Sequence, residues 1–206
     1  MSSKAYENIG RRMKDVEQLL EAHKALTQFQ RARKAAEEAG GGLAQISEVI
    51  DRLVTEPGRG RRTEVDALNR AAMVLLSAHL QGYIEDVYSE VARAMLGDKV
   101  KDVDALVEQA LSNFSNPHAY RIASLFASIG LPNIMDDLSW QKASNQTIKR
   151  RLTDYIRIRN SIAHGSQERI TKPKVAEFKR FVEVFARNFD EKVSNEVRPI
   201  VGKAPW

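Results

Sequence analysis

The stretch LNRAAMVLLSAHLQGYIEDVYSEVARAML, residues 68–96, decides the fold class that the sequence predicts. Its apolar side chains recur every three or four residues, which is the spacing of a helix with one buried face. This face is broad enough for the centre of a helical bundle. It consists of Leu68, Ala72, Leu75, Leu76, His79, Leu80, Tyr83, Ile84, Val87, Val91 and Met95. We expect the helix to begin at Thr63, an N-cap with Asp66 in the first turn, and to end at Gly97.

Helical periodicity also marks the chain before this stretch. Residues 3–39 carry a narrow apolar stripe, and the glycines at 40–42 end it. A short amphipathic segment, LAQISEVIDRLV at 43–54, follows. A loop with three arginines at 57–62 then leads to the central helix, and we interpret it as a solvent-exposed connector.

Four further helices are predicted after the central one, in VDALVEQAL, AYRIASLFASIG, SNQTIKRRLTDYIRIRNSIAHG and TKPKVAEFKRFVEVFARNFDEKVSNEV. Pro117 suits the first position of its helix, and Pro173 lies in the first turn of the last one. No segment alternates polar and apolar residues long enough to predict a strand. We therefore predict an all-α protein in which residues 63–206 form a helical bundle. Residues 1–55 form an added N-terminal arm that packs on the bundle or on a second subunit.

Composition limits the classes of protein to which the chain can belong. It has 206 residues, a formal net charge of +5 and a pI of about 9.4, which permits nucleic-acid binding without requiring it. Cysteine is absent, which excludes disulfides, and no apolar run is long enough to cross a bilayer. The four histidines lack a metal-binding spacing, and no glycine-rich phosphate loop occurs. We expect a cytoplasmic protein without a metal or a cofactor.

The segment RIRNSIAHGS, residues 157–166, admits two interpretations. In the first it is only a helix end, because a histidine in the last turn interacts favourably with the helix dipole and a following glycine caps the helix. The arginines could then pair with acids such as Asp154. In the second it is a catalytic site in which arginine, asparagine and histidine act together without a metal. The residues alone leave both interpretations open.

Cleavage of RNA through its own 2′-hydroxyl is a reaction that these side chains can catalyse. The substrate supplies the nucleophile, so the protein needs neither serine nor cysteine. Histidine takes up or delivers a proton near neutral pH, and arginine stabilises the charge that builds on the phosphoryl oxygens. The reaction needs both an acid and a base, whereas the segment holds one histidine. A two-fold dimer that brings two copies of the segment together would complete the site.

At this point the chain resembles a known family. RNSIAHG, residues 159–165, matches the R-N-x-x-x-H motif of HEPN domains (higher eukaryotes and prokaryotes nucleotide-binding). With LNRAAMVLLSAHLQGYIEDVYSEV and FSNPHAYRIASLFASIGLPNI, the chain resembles the RiboL-PSP-HEPN branch over about residues 68–185. The resemblance implies a helical bundle that dimerises with its motifs facing each other, and a metal-independent endoribonuclease. Carried over by position, Arg159 and His164 are the catalytic pair, with Asn160 as the polar residue between them.

The resemblance also implies partners. Many such proteins are toxins or antiviral-defence effectors, so RNA is the implied substrate and an antitoxin or defence-system protein an implied partner. One toxin–antitoxin subgroup has tyrosine two residues after the motif histidine, which a nucleotidyltransferase partner modifies. Ser166 stands there in this chain, so we do not predict that mode of neutralisation.

Further residues are candidates for supporting roles. We interpret Lys149, Arg151 and Arg157, which precede the motif on its helix, as substrate-binding residues that guide a phosphate backbone, and Ser166 as a further substrate contact. We expect His118, beside Pro117, at the surface. Trp140 and Trp206 have no interleaved basic residues of the kind that indicates base stacking, so we expect both to pack.

Two residues of the central helix, His79 and Glu85, are candidates for a role in supporting the motif residues. Relatives often carry an acidic residue near the position of Gln81, whereas the nearest acid here is Glu85, one turn on. His79 lies on the apolar face. We interpret it as a core or dimer-interface histidine that could also support the site.

Two alternatives without catalysis stay open. HEPN domains also serve as RNA- or nucleotide-binding modules, in which Arg159 and His164 would bind phosphate or brace a dimer. The missing acid at Gln81 favours that alternative. The other is a helical adaptor whose functional part is the N-terminal arm.

Overall fold

The computed structural model describes residues 2–39, 42, 63–97, 99–141, 143–166 and 168–206, without the side chains of residues 30, 31, 39 and 63–65. These residues form six α-helices: α1 (Lys4–Ala39), α2 (Thr63–Leu96), α3 (Val103–Ser112), α4 (Ala119–Ala127), α5 (Asn145–Ala163) and α6 (Lys172–Val201). The all-α prediction is confirmed, because the described residues contain no strand beyond an isolated bridge between Trp140 and Ala143. The amphipathic segment predicted at 43–54 and the arginine loop at 57–62 lie outside the described residues.

Helix α2 is the central helix of the bundle and contacts each of the other five described helices. Most of its predicted apolar face is buried, as expected for a helix with neighbours along that face. Met73, Tyr88 and Ala92 lie outside the predicted face and are also buried. They are buried because further helices cover other sides of α2, which its own periodicity does not reveal.

Aromatic side chains fill the space between α2 and the later helices. The largest fully buried rings are Tyr83, Tyr88, Phe126, Tyr155, Phe178, Phe185 and Phe189. Phe185 and Phe189 stack one turn apart on α6, with centroids 5.3 Å apart, and Phe126 of α4 meets Phe189 edge-on at 5.5 Å. The Tyr83 hydroxyl donates to the backbone oxygen of Ala186 at 2.7 Å, which satisfies the polar end of a buried ring.

The predicted arm packs on the bundle of its own chain, which is one of the two arrangements that the sequence left open. Four side chains in the first half of α1 are almost completely buried: Ala5, Ile9, Met13 and Val16. Farther along the same helix, Leu26 and Phe29 are 37% and 39% exposed. The apolar stripe of α1 is therefore buried against the bundle in the first half of the helix, and its later apolar side chains are partly exposed to solvent.

Two carboxylates from other helices hold the start of α1. Glu90 accepts hydrogen bonds from the backbone N–H groups of Lys4 and Ala5 at 3.1 and 2.7 Å. Asp190 accepts from both the hydroxyl and the backbone N–H of Ser3. These bonds satisfy N–H groups that a helix start leaves without partners. Burial raises the pKa of Asp190, while the hydrogen bonds from Ser3 act in the opposite direction.

Both tryptophans pack as expected. Trp140 lies against Phe181 with ring centroids 5.9 Å apart, and Trp206 is partly buried against the core.

Pro173 lies in the first turn of α6, as predicted, and Thr171 is the N-cap of that helix. Pro117 does not take the first helical position, because α4 begins at Ala119. None of the described helices has a stretch apolar enough, with few enough charges, to span a bilayer.

Candidate active site

The end of α5 adopts a Schellman motif. The backbone N–H of Ser166 donates to the oxygen of Ser161, and that of Gly165 to the oxygen of Ile162, both at 3.0 Å. Gly165 has φ +85°, a conformation that a side chain disfavours, and His164 is the last residue before it. The capping role of the glycine that the sequence predicted is therefore confirmed. It fixes where the chain turns immediately after the motif histidine.

Arg159 is half-buried, and side-chain amide oxygens hold its guanidinium. Nη1 donates to Oδ1 of Asn160 at 2.9 Å and lies 3.4 Å from Oδ1 of Asn116. Across the described part of the chain, no carboxylate lies within ion-pair distance of Arg159 or Arg157, so the pairing with Asp154 that a pure helix end would allow is not formed. Amide oxygens orient a guanidinium without neutralising it. The positive charge of Arg159 therefore stays available for an anion.

Asn160 connects the two other residues of the motif. Its side-chain oxygen accepts from Arg159, and its backbone oxygen accepts the N–H of His164 at 2.9 Å. The His164 side chain is exposed, and within the described residues its imidazole forms no hydrogen bond. Arginine, asparagine and histidine thus share the last turns of one helix. The guanidinium is held in place, and the imidazole is open to solvent.

Asn116 is a site residue that the sequence reasoning did not single out. It lies in the turn FSNPH between α3 and α4, has φ +52°, and its backbone oxygen accepts the N–H of His118 at 2.6 Å. Asparagine tolerates this left-handed conformation better than most residues. Pro117 beside it is buried. The available signal was the Asn-Pro dipeptide, which is typical of a turn, but nothing in the sequence shows which helix the turn meets.

The predicted substrate-binding residues lie at different distances from the motif. Arg157 is exposed, two turns before His164 and on about the same side of α5, and Ser166 is exposed just after it. Lys149 and Arg151 lie about 20 Å from His164 along the axis, at about 1.5 Å per residue. Lys149 also pairs with Asp136 at 3.1 Å. The structure thus brings Arg157 and Ser166 to the motif and leaves the other two at the far end of the helix.

The candidates on α2 have contacts of their own. His79 faces α1, where its Nε2 lies 3.7 Å from a carboxylate oxygen of Asp15. Burial and the nearby Arg12 lower the pKa of His79, although Asp15 acts in the opposite direction. The Gln81 amide donates to Glu85 at 2.9 Å. These contacts join His79 to α1, and Gln81 to the next turn of its own helix.

The structure is an all-helical bundle that carries Arg159, Asn160 and His164 on the last turns of α5. Comparison with protein families shows what the chain is similar to: the profile of the RiboL-PSP-HEPN family matches residues 43–195. The chain belongs to this family. Membership implies RNA as the substrate class and suggests ribonuclease function. Neither the curated proteins nor the solved structures that were compared contain a match to the chain.

Proposed function

We propose that the protein is a metal-independent endoribonuclease whose active site forms between two copies of the chain. The observation that carries this proposal is the setting of Arg159, whose guanidinium is oriented by two amide oxygens and neutralised by no carboxylate of the described residues. On the same helix end, the exposed imidazole of His164 can reach a bound polymer. Phosphodiester cleavage requires a fixed cation and an accessible proton carrier, and this helix end holds one of each.

The proposed step needs no co-reactant besides the RNA. The 2′-oxygen forms a bond to the adjacent phosphorus while the bond from phosphorus to the 5′-oxygen breaks. One imidazole takes the proton of the 2′-hydroxyl, and a second, protonated imidazole gives a proton to the leaving 5′-oxygen. Arg159 stabilises the charge on the two non-bridging oxygens, and Asn160 keeps the guanidinium aimed at them. The products are a 2′,3′-cyclic phosphate and a 5′-hydroxyl.

The two imidazoles would come from two subunits. A two-fold axis near the end of α5 would bring together two copies of His164 and two of Arg159, because a two-fold interface pairs the same patch on both subunits. Both side chains of the motif end are accessible enough for this: His164 is exposed and Arg159 is half-buried. The cellular role of a toxin or antiviral-defence effector, with an antitoxin or defence partner, stays a prediction from the family resemblance.

The test is cleavage of a labelled single-stranded RNA by the purified full-length chain. We expect cyclic-phosphate ends, no effect of EDTA, and full resistance of RNA that carries a 2′-deoxyribose at the scissile position. His164→Ala should lower the rate by at least about 100-fold, the contribution typical of a positioned acid or base. The matched control is His23→Ala, a histidine on α1 outside the motif. A protein that is inert in EDTA and recovers with magnesium would exclude the mechanism.

A second candidate function is a non-catalytic RNA-binding module. It is favoured by the imidazole of His164, which no side chain of the described residues orients, whereas a general base is usually held by a third group. The position where relatives carry an acid also holds Gln81, which is hydrogen-bonded to Glu85. Binding of RNA without cleavage at every pH from 6 to 8 would support this function over the first.

A further inference from the structure

An exposed tyrosine, Tyr120, lies at the start of α4 against His118 and Arg121, and we call these three residues the Tyr120 cluster. Tyr120 is 67% exposed, the most exposed large hydrophobic side chain in the described part of the molecule. Its ring lies nearly parallel to the imidazole of His118, with centroids 5.5 Å apart and an angle of 18°. The Arg121 guanidinium lies 6.0 Å from the ring centroid, and its Nε donates to the Tyr120 hydroxyl at 3.3 Å. The ring is thus held in place while it remains open to solvent.

Two hydrogen bonds place the Tyr120 cluster beside the motif. Nη1 of Arg121 donates to the Ser115 hydroxyl at 3.4 Å, and Nη1 of Arg159 lies 3.4 Å from the Asn116 side-chain oxygen. Ser115 and Asn116 are consecutive, so their Cα atoms are only about 3.8 Å apart. The turn FSNPH therefore contacts both the guanidinium of Arg159 and the guanidinium of Arg121.

Tyr120 and Arg121 also line a surface groove. Its volume is about 380 Å³, which is within the range of small-ligand sites. Phe114 and Leu125 form apolar parts of its wall, and Asn113, Ser124 and Ser128 contribute polar groups. A groove with an aromatic edge, an arginine and short polar side chains suits a planar heterocycle that is linked to an anionic backbone.

We propose that Tyr120, stacked on His118 and held by Arg121, is a nucleobase-stacking subsite for one unpaired base of the RNA, next to the phosphodiester at Arg159. The identity of the ligand as RNA rests on the proposed function. Stacking uses the ring face that every base has, so the subsite selects single-stranded over paired RNA and discriminates little between bases. Burial and the positive charge of Arg121 lower the pKa of His118, which favours the neutral imidazole beneath the tyrosine.

Binding measurements test the subsite separately from catalysis. In the His164→Ala background, the affinity for a fluorescent single-stranded RNA is measured by anisotropy. Tyr120→Ala should weaken binding by about tenfold, the typical loss when one stacked base loses its aromatic partner. Tyr120→Phe should keep most of the affinity, because the ring that stacks on the base remains although the hydroxyl that Arg121 contacts is lost. The matched control is Phe29→Ala, an exposed ring on α1, which should not change the affinity.

An abasic series locates the base. Each nucleotide of the RNA is replaced in turn by an abasic residue, and we expect one position at which the replacement weakens binding to the parent but not to Tyr120→Ala. If every abasic RNA weakens binding equally in both proteins, Tyr120 contacts no base and the subsite is excluded. The same holds if Tyr120→Ala binds as tightly as its parent, or if Tyr120→Phe loses as much affinity as Tyr120→Ala.

The two proposals fail in distinguishable ways. If Tyr120→Ala cleaves RNA with unchanged KM and kcat and binds it with unchanged affinity, the proposed subsite is excluded and the proposed nuclease activity is not affected. Ring-dependent binding by a chain that cleaves no RNA supports the subsite and overturns the nuclease. No RNA binding by any variant overturns the subsite, and a protein partner would then be the better occupant for the tyrosine.

Discussion

The guanidinium of Arg159 and the side-chain oxygen of Asn116 lie 3.4 Å apart, although 43 positions of sequence separate the two residues. This contact ties the end of α5 to the turn before α4. It restrains a long cationic side chain that would otherwise sample many rotamers in solvent. The candidate site is thus built from a short motif and from a turn on which the motif arginine rests.

Removing the Asn116 side chain should lower the rate of RNA cleavage. Asn116→Gly keeps the backbone at φ +52° without strain and removes one of the two oxygens that orient Arg159. We expect about a tenfold fall in kcat, because a guanidinium held at one point is placed less accurately against the transition state. Asn116→Asp keeps an oxygen at that place but adds a carboxylate that would neutralise Arg159, so this variant should lose activity as well.

The control for this change is Asp137→Gly, because Asp137 also has positive φ, at +56°, and lies outside the motif. Equal losses of activity in the two glycine variants would mean that backbone freedom, rather than the contact with Arg159, explains the effect. Cleavage by Asn116→Gly at the parent rate would show that Asn160 alone is enough to orient the guanidinium.

A single introduced thiol should report the arrangement of two subunits. The natural chain has no cysteine, so Ser166→Cys carries one reactive thiol two residues after His164. If the motifs face each other across a two-fold axis, a short bismaleimide should join two chains in high yield. Ser112→Cys, exposed at the end of α3, is the matched control and should cross-link only weakly. Equal yields, or a protein that is monomeric at every concentration at which it cleaves RNA, would contradict the composite site.

Two glycine-to-alanine changes should affect stability in opposite directions. Gly165 has φ +85°, and an added Cβ meets no atom within 4 Å, so Gly165→Ala introduces backbone strain alone. We expect it to lower the free energy of unfolding by about 1 kcal/mol. Gly10 lies inside α1, where an added Cβ also meets no atom within 4 Å, and Gly10→Ala should raise that free energy by about 0.5–1 kcal/mol.

Urea unfolding measures both changes, with the slope of the transition as a check that compactness is unchanged. A Gly165→Ala variant as stable as the parent would mean that the end of α5 relaxes to another conformation. In that case the position of His164 would not depend on the Schellman motif.

Stability should fall as the pH drops below about 6.5, partly because of His79. Its pKa is lowered from the ordinary value of 6.5 by burial and by Arg12. Between the lowered value and 6.5, the unfolded chain binds a proton that the folded chain does not, so the free energy of unfolding decreases as the pH falls. The pKa values of His23 and His118 are lowered as well, and these residues add to the same trend.

His79→Gln removes one of these protonation sites. Urea unfolding at a series of pH values from 7.5 to 5 should therefore show a shallower loss of stability in the variant than in the parent. Parallel curves would mean that Asp15, 3.7 Å from the imidazole, compensates for burial and that His79 charges as readily in the folded chain as in the unfolded one.

The sequence by itself determined the fold class and the composition of the motif. Apolar residues every three or four positions require helices, since only that geometry places them on one side, and residues 68–96 could be identified as central because their apolar face is so broad. The R-N-x-x-x-H pattern could likewise be read directly, and the glycine after it predicted the cap that the structure shows at Gly165. These are local properties, set by neighbours along the chain.

Only the tertiary structure decided what lies next to the motif. The packing of α1 on its own bundle, the burial of Met73, Tyr88 and Ala92, and the contact of Asn116 with Arg159 all join segments that are far apart in sequence. The exposure of Tyr120 cannot be read from the sequence either, because an aromatic residue on a helix is more often part of a core. Helical periodicity indicates which side of a helix is buried. The neighbouring segment that covers that side is chosen by side-chain shape and by the connections, and these act only when the chain has folded.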